Sequence, residues 1–216
     1  IKMPPAKKTM LEARLGKRLK ATGLSSFHDY CGYLFSPEGT ANELIHMIDV
    51  VTTNKTDFFR EPQHFEYLLN TAIPRLMQTS GAGLRRSLML WSAACSSGEE
   101  PYTLAMVLEE FALRVNGFSY LILATDISTR MVEAARRAIY PEERIAPVPM
   151  ELRHKYLLRS RDPERQEVRI INRLRERVKF RRLNFLDDDF GFREKMDIIF
   201  CRNVLIYFDK PTQHKV

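Results

Sequence analysis

The residues best able to do chemistry lie where apolar runs end. Leu88-Met89-Leu90-Trp91-Ser92-Ala93-Ala94-Cys95 leads straight into Ser96-Ser97-Gly98-Glu99-Glu100-Pro101, where a nucleoside triphosphate site would carry a glycine-rich loop ending in Lys-Ser/Thr. Two carboxylates stand in place of that lysine. Carboxylates repel phosphate and attract cations, so a ligand carrying an ammonium and a sulfonium suits this loop better than ATP. A second run, Tyr120-Leu121-Ile122-Leu123-Ala124-Thr125-Asp126, ends in an acid, the position from which dinucleotide-type sites accept hydrogen bonds from ribose hydroxyls. Taken together, Glu99, Glu100 and Asp126 point to a positively charged nucleoside. Each also has a purely structural reading: first-turn acids favour a helix dipole, and Asp126 could cap the helix that follows, although Ser128 can do that instead. The segment Thr53-Asn54-Lys55-Thr56-Asp57-Phe58-Phe59-Arg60 concentrates hydrogen-bonding side chains beside two aromatics, and reads either as a helix start with a core Phe pair or as a lid over the ligand.

Such residues need elements to position them. From about residue 4 to residue 80 the pattern is helical, with Leu11, Leu15 and Leu19 recurring at i, i+4 and Gly23 closing the first helix. Ser25 and Ser26 precede a segment around 27–35, and Ser36-Pro37-Glu38 reads as cap, first-turn proline and first-turn acid. Helices through Leu44, Ile45, Ile48 and Val51, and through Phe65, Leu68, Leu69 and Ile73, follow, and the loose Thr79-Ser80-Gly81-Ala82-Gly83 marks a domain boundary. Beyond it the period shortens. The runs at 88–95 and 120–126 alternate with helices expected at 102–114 and 128–140, and further strands are expected at 178–185 and 196–201, which predicts a parallel sheet. In such a sheet ligands bind beyond the carboxyl ends of the strands, where the acids above lie. The proline-punctuated, basic stretch from about 141 to 177 reads as an insertion of short strands.

The 216 residues are 44% hydrophobic and 28% charged, an ordinary globular composition that excludes disorder and collagen. With no run of about 18 apolar residues and no apolar stretch at the start, a soluble cytoplasmic protein is expected. Cys31, Cys95 and Cys201 are odd in number and far apart, so neither disulfides nor a metal site is expected, only reduced, buried thiols. The net charge of +7 is unevenly placed: residues 1–20 hold seven Lys/Arg against one acid and residues 153–182 twelve against four, leaving an acidic remainder. Two basic patches on an acidic body suit an extended anionic partner, or are simply solvated faces.

Three segments together carry a family resemblance: Thr53-Asn54-x-Thr56-x-Phe58-Phe59-Arg60, then Trp91-Ser92-Ala93-Ala94-Cys95-Ser96-Ser97-Gly98-Glu99-Glu100-Pro101-Tyr102, then Ile199-Phe200-Cys201-Arg202-Asn203-Val204-Leu205-Ile206-Tyr207-Phe208-Asp209. In this order they resemble the S-adenosylmethionine-dependent methyltransferases of bacterial chemotaxis receptors, the CheR type. The resemblance implies an α/β protein: an N-terminal all-α domain (1–80, with a lid at 53–60) before a doubly wound, Rossmann-like S-adenosylmethionine methyltransferase domain (81–216) carrying a small inserted β-subdomain at about 141–177. It implies esterification of glutamates on the cytoplasmic helical bundle of a chemoreceptor, with S-adenosylhomocysteine as the product. Cofactor contacts carry over onto Asn54, Thr56, Arg60, Glu99, Asp126, Asn184, Phe185, Arg202 and Asn203. The basic first helix would read the acidic methylation region through Arg14, Lys17, Arg18 and Lys20, and in some members the inserted subdomain docks a receptor C-terminal peptide as an added edge strand. A monomer with no metal, no nucleic-acid partner and no membrane insertion is expected. Because the family's fold extends past Ile206-Tyr207-Phe208-Asp209 and begins with an earlier helix, the chain is expected to be a fragment.

Methyl transfer from a sulfonium to a carboxylate removes no proton, and a glutamate of pKa about 4.3 is already ionised near neutral pH, so no catalytic base is expected. Tyr207 is the candidate for orienting the substrate carboxylate, its bland reading being a core aromatic beside Phe208. Two rival readings share the cofactor. A nucleic-acid methyltransferase would account for the arginines of 153–182, but the chain has no Asn/Asp-Pro-Pro-Tyr/Phe element for a flipped base. A non-catalytic cofactor-binding receptor module would bind without turnover.

Overall fold

The computed structural model describes residues 8–52, 54–162 and 164–215, so Thr53 of the expected lid lies outside the described residues. Helix α1 (Lys8–Thr22) stops at Gly23, whose φ of 72° only glycine adopts without strain. Ser26 caps α2 (Phe27–Leu34) by accepting the Asp29 N–H, and Ser36 caps α3 (Pro37–Asn42) by accepting the Gly39 N–H. With α4 (Leu44–Val51) these helices enclose a small core of Leu19, Tyr30 and Leu34. A charge sits inside it. Glu43, only 3% exposed, accepts from Arg18 Nε at 2.8 Å, from Arg18 Nη2 at 2.7 Å and from Tyr30 Oη at 2.7 Å. This ties three helices through one carboxylate.

After an irregular stretch at 54–62, α5 (Gln63–Tyr67) runs through a π turn (Leu68–Ala72) into α6 (Ile73–Ser80), the wider turn lying just before Pro74, which has no N–H for the helical ladder. Phe58, Phe65, Leu68 and Ile73 belong to the core of the sheet that follows, not to the α1–α4 core. The hydrophobic partition thus falls ahead of Phe58, earlier than the glycine-rich stretch at 79–83 would place it.

That sheet has four parallel strands in the order β6-β2-β1-β7: β1 (Leu88–Ala93), β2 (Tyr120–Asp126), β6 (Val178–Arg182) and β7 (Ile198–Cys201). Helix α7 (Glu99–Arg114) connects β1 to β2, and α8 (Thr129–Arg137), capped by Ser128, follows β2. The strands read as apolar runs because both faces are covered: Leu88, Leu90, Ile122 and Ala124 are fully buried on one face, and Trp91 and Ala93 are buried on the other. The chain winds outward from β1 to β2 and β6, then returns to pair β7 on the other side of β1. The β1/β7 boundary is therefore the topological switch point, the usual place for a ligand.

The insertion is a three-stranded antiparallel sheet in the order β3-β5-β4, made of β3 (Ile139–Pro141), β4 (Leu157–Arg159) and β5 (Glu167–Ile170), with α9 (Met150–Tyr156) and α10 (Asn172–Glu176) beside it. It begins before residue 141 because Ala138, at φ 53°, breaks the helix expected to reach Tyr140 and turns 139–141 into a strand. Beyond β7 the chain makes a 3-10 turn (Leu205–Tyr207) and α11 (Lys210–Lys215). Among the described residues no helix is long and apolar enough to cross a membrane. All three thiols are free and Cys95 is buried, but Cys201 is only half-buried and Cys31 is exposed, which departs from the expectation that all are buried. It lies in the short α2, whose buried positions are Tyr30 and Leu34.

Hydrogen bonding from Arg18 holds the Glu43 carboxyl below its ordinary value, so its contribution to stability is full above about pH 4.5 and is lost as pH falls through the lowered value. Glu43→Ala should destabilise the chain by about 2–4 kcal/mol at pH 7 by leaving Arg18 and Tyr30 without their acceptor, and the deficit should shrink toward pH 3. Urea midpoints of the two chains at both pH values check this.

Candidate functional site

The site is built on the turn leaving β1. Ala94 (φ 63°), Ser96 (φ 50°) and Gly98 (φ 98°) all adopt left-handed backbone within five residues. At Gly98 this is compulsory: a Cβ there would lie 2.8 Å from Tyr140 Oη and 2.9 Å from Ala135 Cβ. Tyr140 Oη also donates to the Ser97 carbonyl at 2.8 Å, pinning the turn from the inserted subdomain. Glu99 and Glu100 open α7 directly behind it, and Gly98 supplies no side-chain cap.

The three carboxylates expected to face a ligand have different partners. Asp126, at the end of β2, accepts the Ser96 N–H at 2.8 Å on one oxygen and the Ser128 N–H at 2.9 Å on the other. Burial pushes its carboxyl above the ordinary range, against the pull of those main-chain donors. Glu99, 1% exposed, accepts from Ser97 Oγ at 2.7 Å and from Arg144 Nη2 at 2.6 Å. Glu100 accepts from Ser92 Oγ at 2.8 Å and pairs with Arg202 Nη1 at 3.3 Å. Its burial pushes the carboxyl up to about 7, with Ser92 and Arg202 acting in the opposite sense.

The 54–62 segment is fastened over these strand ends by its main-chain carbonyls. Ser96 Oγ donates to the Asn54 carbonyl at 3.1 Å, Arg144 Nη2 to that of Thr56 at 3.1 Å, and Arg202 Nη2 to that of Arg60. Phe59 and Glu61 take left-handed backbone, and the Phe59 N–H reaches Thr103 Oγ1 at 3.1 Å. Glu61 then accepts from Arg202 at 3.0 Å and from Asn203 Nδ2 at 3.3 Å. The Arg202 guanidinium lies 5.4 Å from the Phe65 ring centroid, and its buried Nε has no hydrogen-bond partner.

Asn54, Thr56, Arg60, Glu99, Asp126, Arg202 and Asn203 therefore fall into three hydrogen-bonded groups at the carboxyl ends of β1, β2 and β7, gathered on Asp126, Arg144 and Arg202. Asn184 and Phe185 follow β6, where the Leu183 N–H donates to the Asp126 carbonyl at 3.0 Å. Phe185 is buried edge-on against Trp91, so its side chain is a packing group. Tyr207 is half-buried in the 3-10 turn beyond β7. Of the α1 residues, Arg14 adjoins this region through Thr52, whose hydroxyl accepts from Asn54 Nδ2 at 3.3 Å. Arg14 donates to the Val51 and Thr52 carbonyls at 2.8 and 3.1 Å, and Arg18 departs from its expected role at an acidic partner because its fork is engaged by buried Glu43. Lys17 and Lys20 are exposed. Sequence reading missed Arg144, Ser92 and Glu61. Arg144 and Glu61 matter through partners distant in the chain, and Ser92 through Glu100 eight residues on, a spacing that no periodicity singles out.

Two buried carboxylates, an arginine with an unpaired buried N–H and a side-chain amide suit a ligand that carries a cation, hydroxyls and a carboxylate. Among the described residues no group of three or more His, Cys, Asp or Glu could hold a metal ion. The CheR methyltransferase, SAM binding domain model matches residues 54–216, and the CheR methyltransferase, all-alpha domain model matches residues 1–52. The chain is 43% identical over 218 residues to the chemotaxis protein methyltransferase of Borreliella burgdorferi, covering 100% of this chain and 75% of that one. It is 38% identical to chemotaxis protein methyltransferase 2 of Pseudomonas aeruginosa (100% and 74% covered) and 37% identical to the chemotaxis protein methyltransferase of Escherichia coli (97% and 70%).

Two substitutions probe this geometry. Gly98→Ala should cost about 2–4 kcal/mol, through both its left-handed φ and the clash with Tyr140, and should lower the thermal midpoint accordingly. Because the native Glu100 carboxyl sits above its ordinary value, its ionisation costs nothing near pH 4, where it is protonated in both states, and most above pH 7. Glu100→Gln should therefore stabilise the chain by about 1–3 kcal/mol at pH 8 and leave it unchanged near pH 4, as read by urea unfolding.

Proposed function

This chain belongs to the CheR family of methyltransferases, with S-adenosylmethionine as its cofactor, and we propose that it methylates glutamate carboxylates on the cytoplasmic helical bundle of a bacterial chemoreceptor. The observation that carries the site assignment is the pair of buried carboxylates, Glu99 and Asp126, on either side of the left-handed turn at the β1/β7 switch point, roofed by 54–62. Glu99 is suited to an ammonium and Asp126 to ribose hydroxyls, with Asn54, Thr56 and Arg60 above and Asn184, Phe185, Arg202 and Asn203 around the rim. The cofactor supplies an electrophilic methyl group on a cationic sulfur. The acceptor glutamate is ionised near neutral pH, so the protein's task is alignment and exclusion of water, and no side chain need act as a base. Tyr207, beside the carboxyl end of β7, orients the acceptor carboxylate through its hydroxyl. Lys17 and Lys20, two outward-facing cations of α1, meet the acidic methylation region, while Arg14 and Arg18 hold that helix in place.

Calorimetric titration with S-adenosylhomocysteine should show binding that falls at least roughly tenfold in both Asp126→Ala and Arg60→Ala, each folded by circular dichroism. With a labelled methyl donor and receptor cytoplasmic fragments, label should appear on the receptor in alkali-labile form, as a carboxyl ester requires. Tyr207→Phe should lower kcat with cofactor affinity unchanged. Alkali-stable label, or label on nucleic acid alone, would refute the glutamate reading.

A further inference from the structure

The inserted subdomain contributes a charge to the centre of the site. Arg144 lies in the 3-10 turn (Glu142–Ile145) that follows β3, yet its guanidinium reaches two other pieces of the chain. It pairs with Glu99 at 2.6 Å at the start of α7, donates to the Thr56 carbonyl at 3.1 Å, and lies 3.5 Å from Asp57. The arrangement is asymmetric: the Glu99 side chain is 1% exposed, that of Arg144 38%. Burying a carboxylate this deeply is costly unless a counter-charge meets it, and Arg144 is the cation paired with it. Two of its acceptor positions are taken, one by Arg144 and one by Ser97 Oγ, which leaves lone pairs for a ligand's ammonium.

We infer that Arg144 is a positioning residue for cofactor binding, so that the inserted subdomain forms part of the cofactor site by pairing with and aiming Glu99 while clamping the 54–62 segment. This rests on the assignment of Glu99 to the cofactor's ammonium. The other titratable groups facing Glu99 do not supply the charge: burial raises the Tyr140 phenol and the Cys95 thiol well above their ordinary values, so both are neutral, and Asp57 lies across Arg144 with the same sign as Glu99.

The test is calorimetric binding of S-adenosylhomocysteine at pH 6 and pH 8 to the unsubstituted chain and to Arg144→Gln, Arg144→Lys, Glu99→Gln and the Arg144→Gln/Glu99→Gln pair, each with a thermal melt to establish folding. Arg144→Gln should weaken binding roughly 10- to 100-fold, and more at pH 6 than at pH 8, because an unpaired buried carboxylate takes up a proton that binding must then displace. Arg144→Lys, which keeps the charge, should restore most of the pH behaviour. In the Glu99→Gln background, removing Arg144 should change affinity by less than about threefold, the mark of two residues acting as one unit. Equal weakening by Arg144→Gln at both pH values and in both backgrounds would overturn the inference and leave Arg144 a packing residue, as would unchanged binding in that variant. If Glu99→Gln alone binds like the unsubstituted chain, the inference falls with the Glu99 assignment, and the failure is located in that assignment.

Discussion

The turn between β1 and α7 is the constraint on which the rest of the site depends. The chain must leave a central strand and enter a helix within five residues, beneath Tyr140 and Ala135, and it does so with three left-handed residues of which only one is glycine. Positive φ at Ala94 and Ser96 costs on the order of 1 kcal/mol each and persists only because the surroundings over-determine the turn. What holds it is specific: the Ser96 N–H on Asp126, the Cys95 N–H on the Thr125 carbonyl, and Tyr140 Oη on the Ser97 carbonyl. One arrangement thereby aims the carboxyl end of β2, the start of α7 and the inserted subdomain at a single point.

The carboxylates gathered there are kept distinct by what donates to them. Asp126 receives main-chain N–H groups, Glu99 a guanidinium and a hydroxyl, and Glu100 a hydroxyl and a second guanidinium. In a low-dielectric setting each donor set is worth more than in water, and an unpaired carboxylate would be correspondingly costly. The two arginines also reach the overlying segment, where they bind the Thr56 and Arg60 carbonyls. At Asn54, Thr56 and Arg60 the contacts that fasten this segment to the strand ends fall on its main chain, while the side chains of Asn54 and Arg60 bond nearby, to Thr52 Oγ1 at 3.3 Å and to the Lys55 carbonyl at 3.2 Å.

In the helical domain the same physics removes charge from the surface. Arg18 looks like part of a basic stripe, but Glu43, at the junction of α3 and α4, is buried and takes its guanidinium through two nitrogens. Arg14 ties α1 to Val51 and Thr52 at the end of α4, ahead of the overlying segment. The outward charge of this helix is therefore smaller than its composition indicates.

Much of this was legible in the chain alone. Continuous apolar runs marked β1 and β2, and the Ser26 and Ser36 caps marked helix starts, because backbone geometry and local hydrogen bonding act over a few residues. The motif segments also carried the family, which matches both parts of the chain. Tertiary structure alone decided that Arg18 faces inward, that Phe58 and Phe65 join the sheet core, and that Arg144 meets Glu99 across 45 residues of sequence. These are long-range pairings of buried charge and apolar surface, and no periodicity or spacing encodes them, because the partner is chosen by the path of the whole chain.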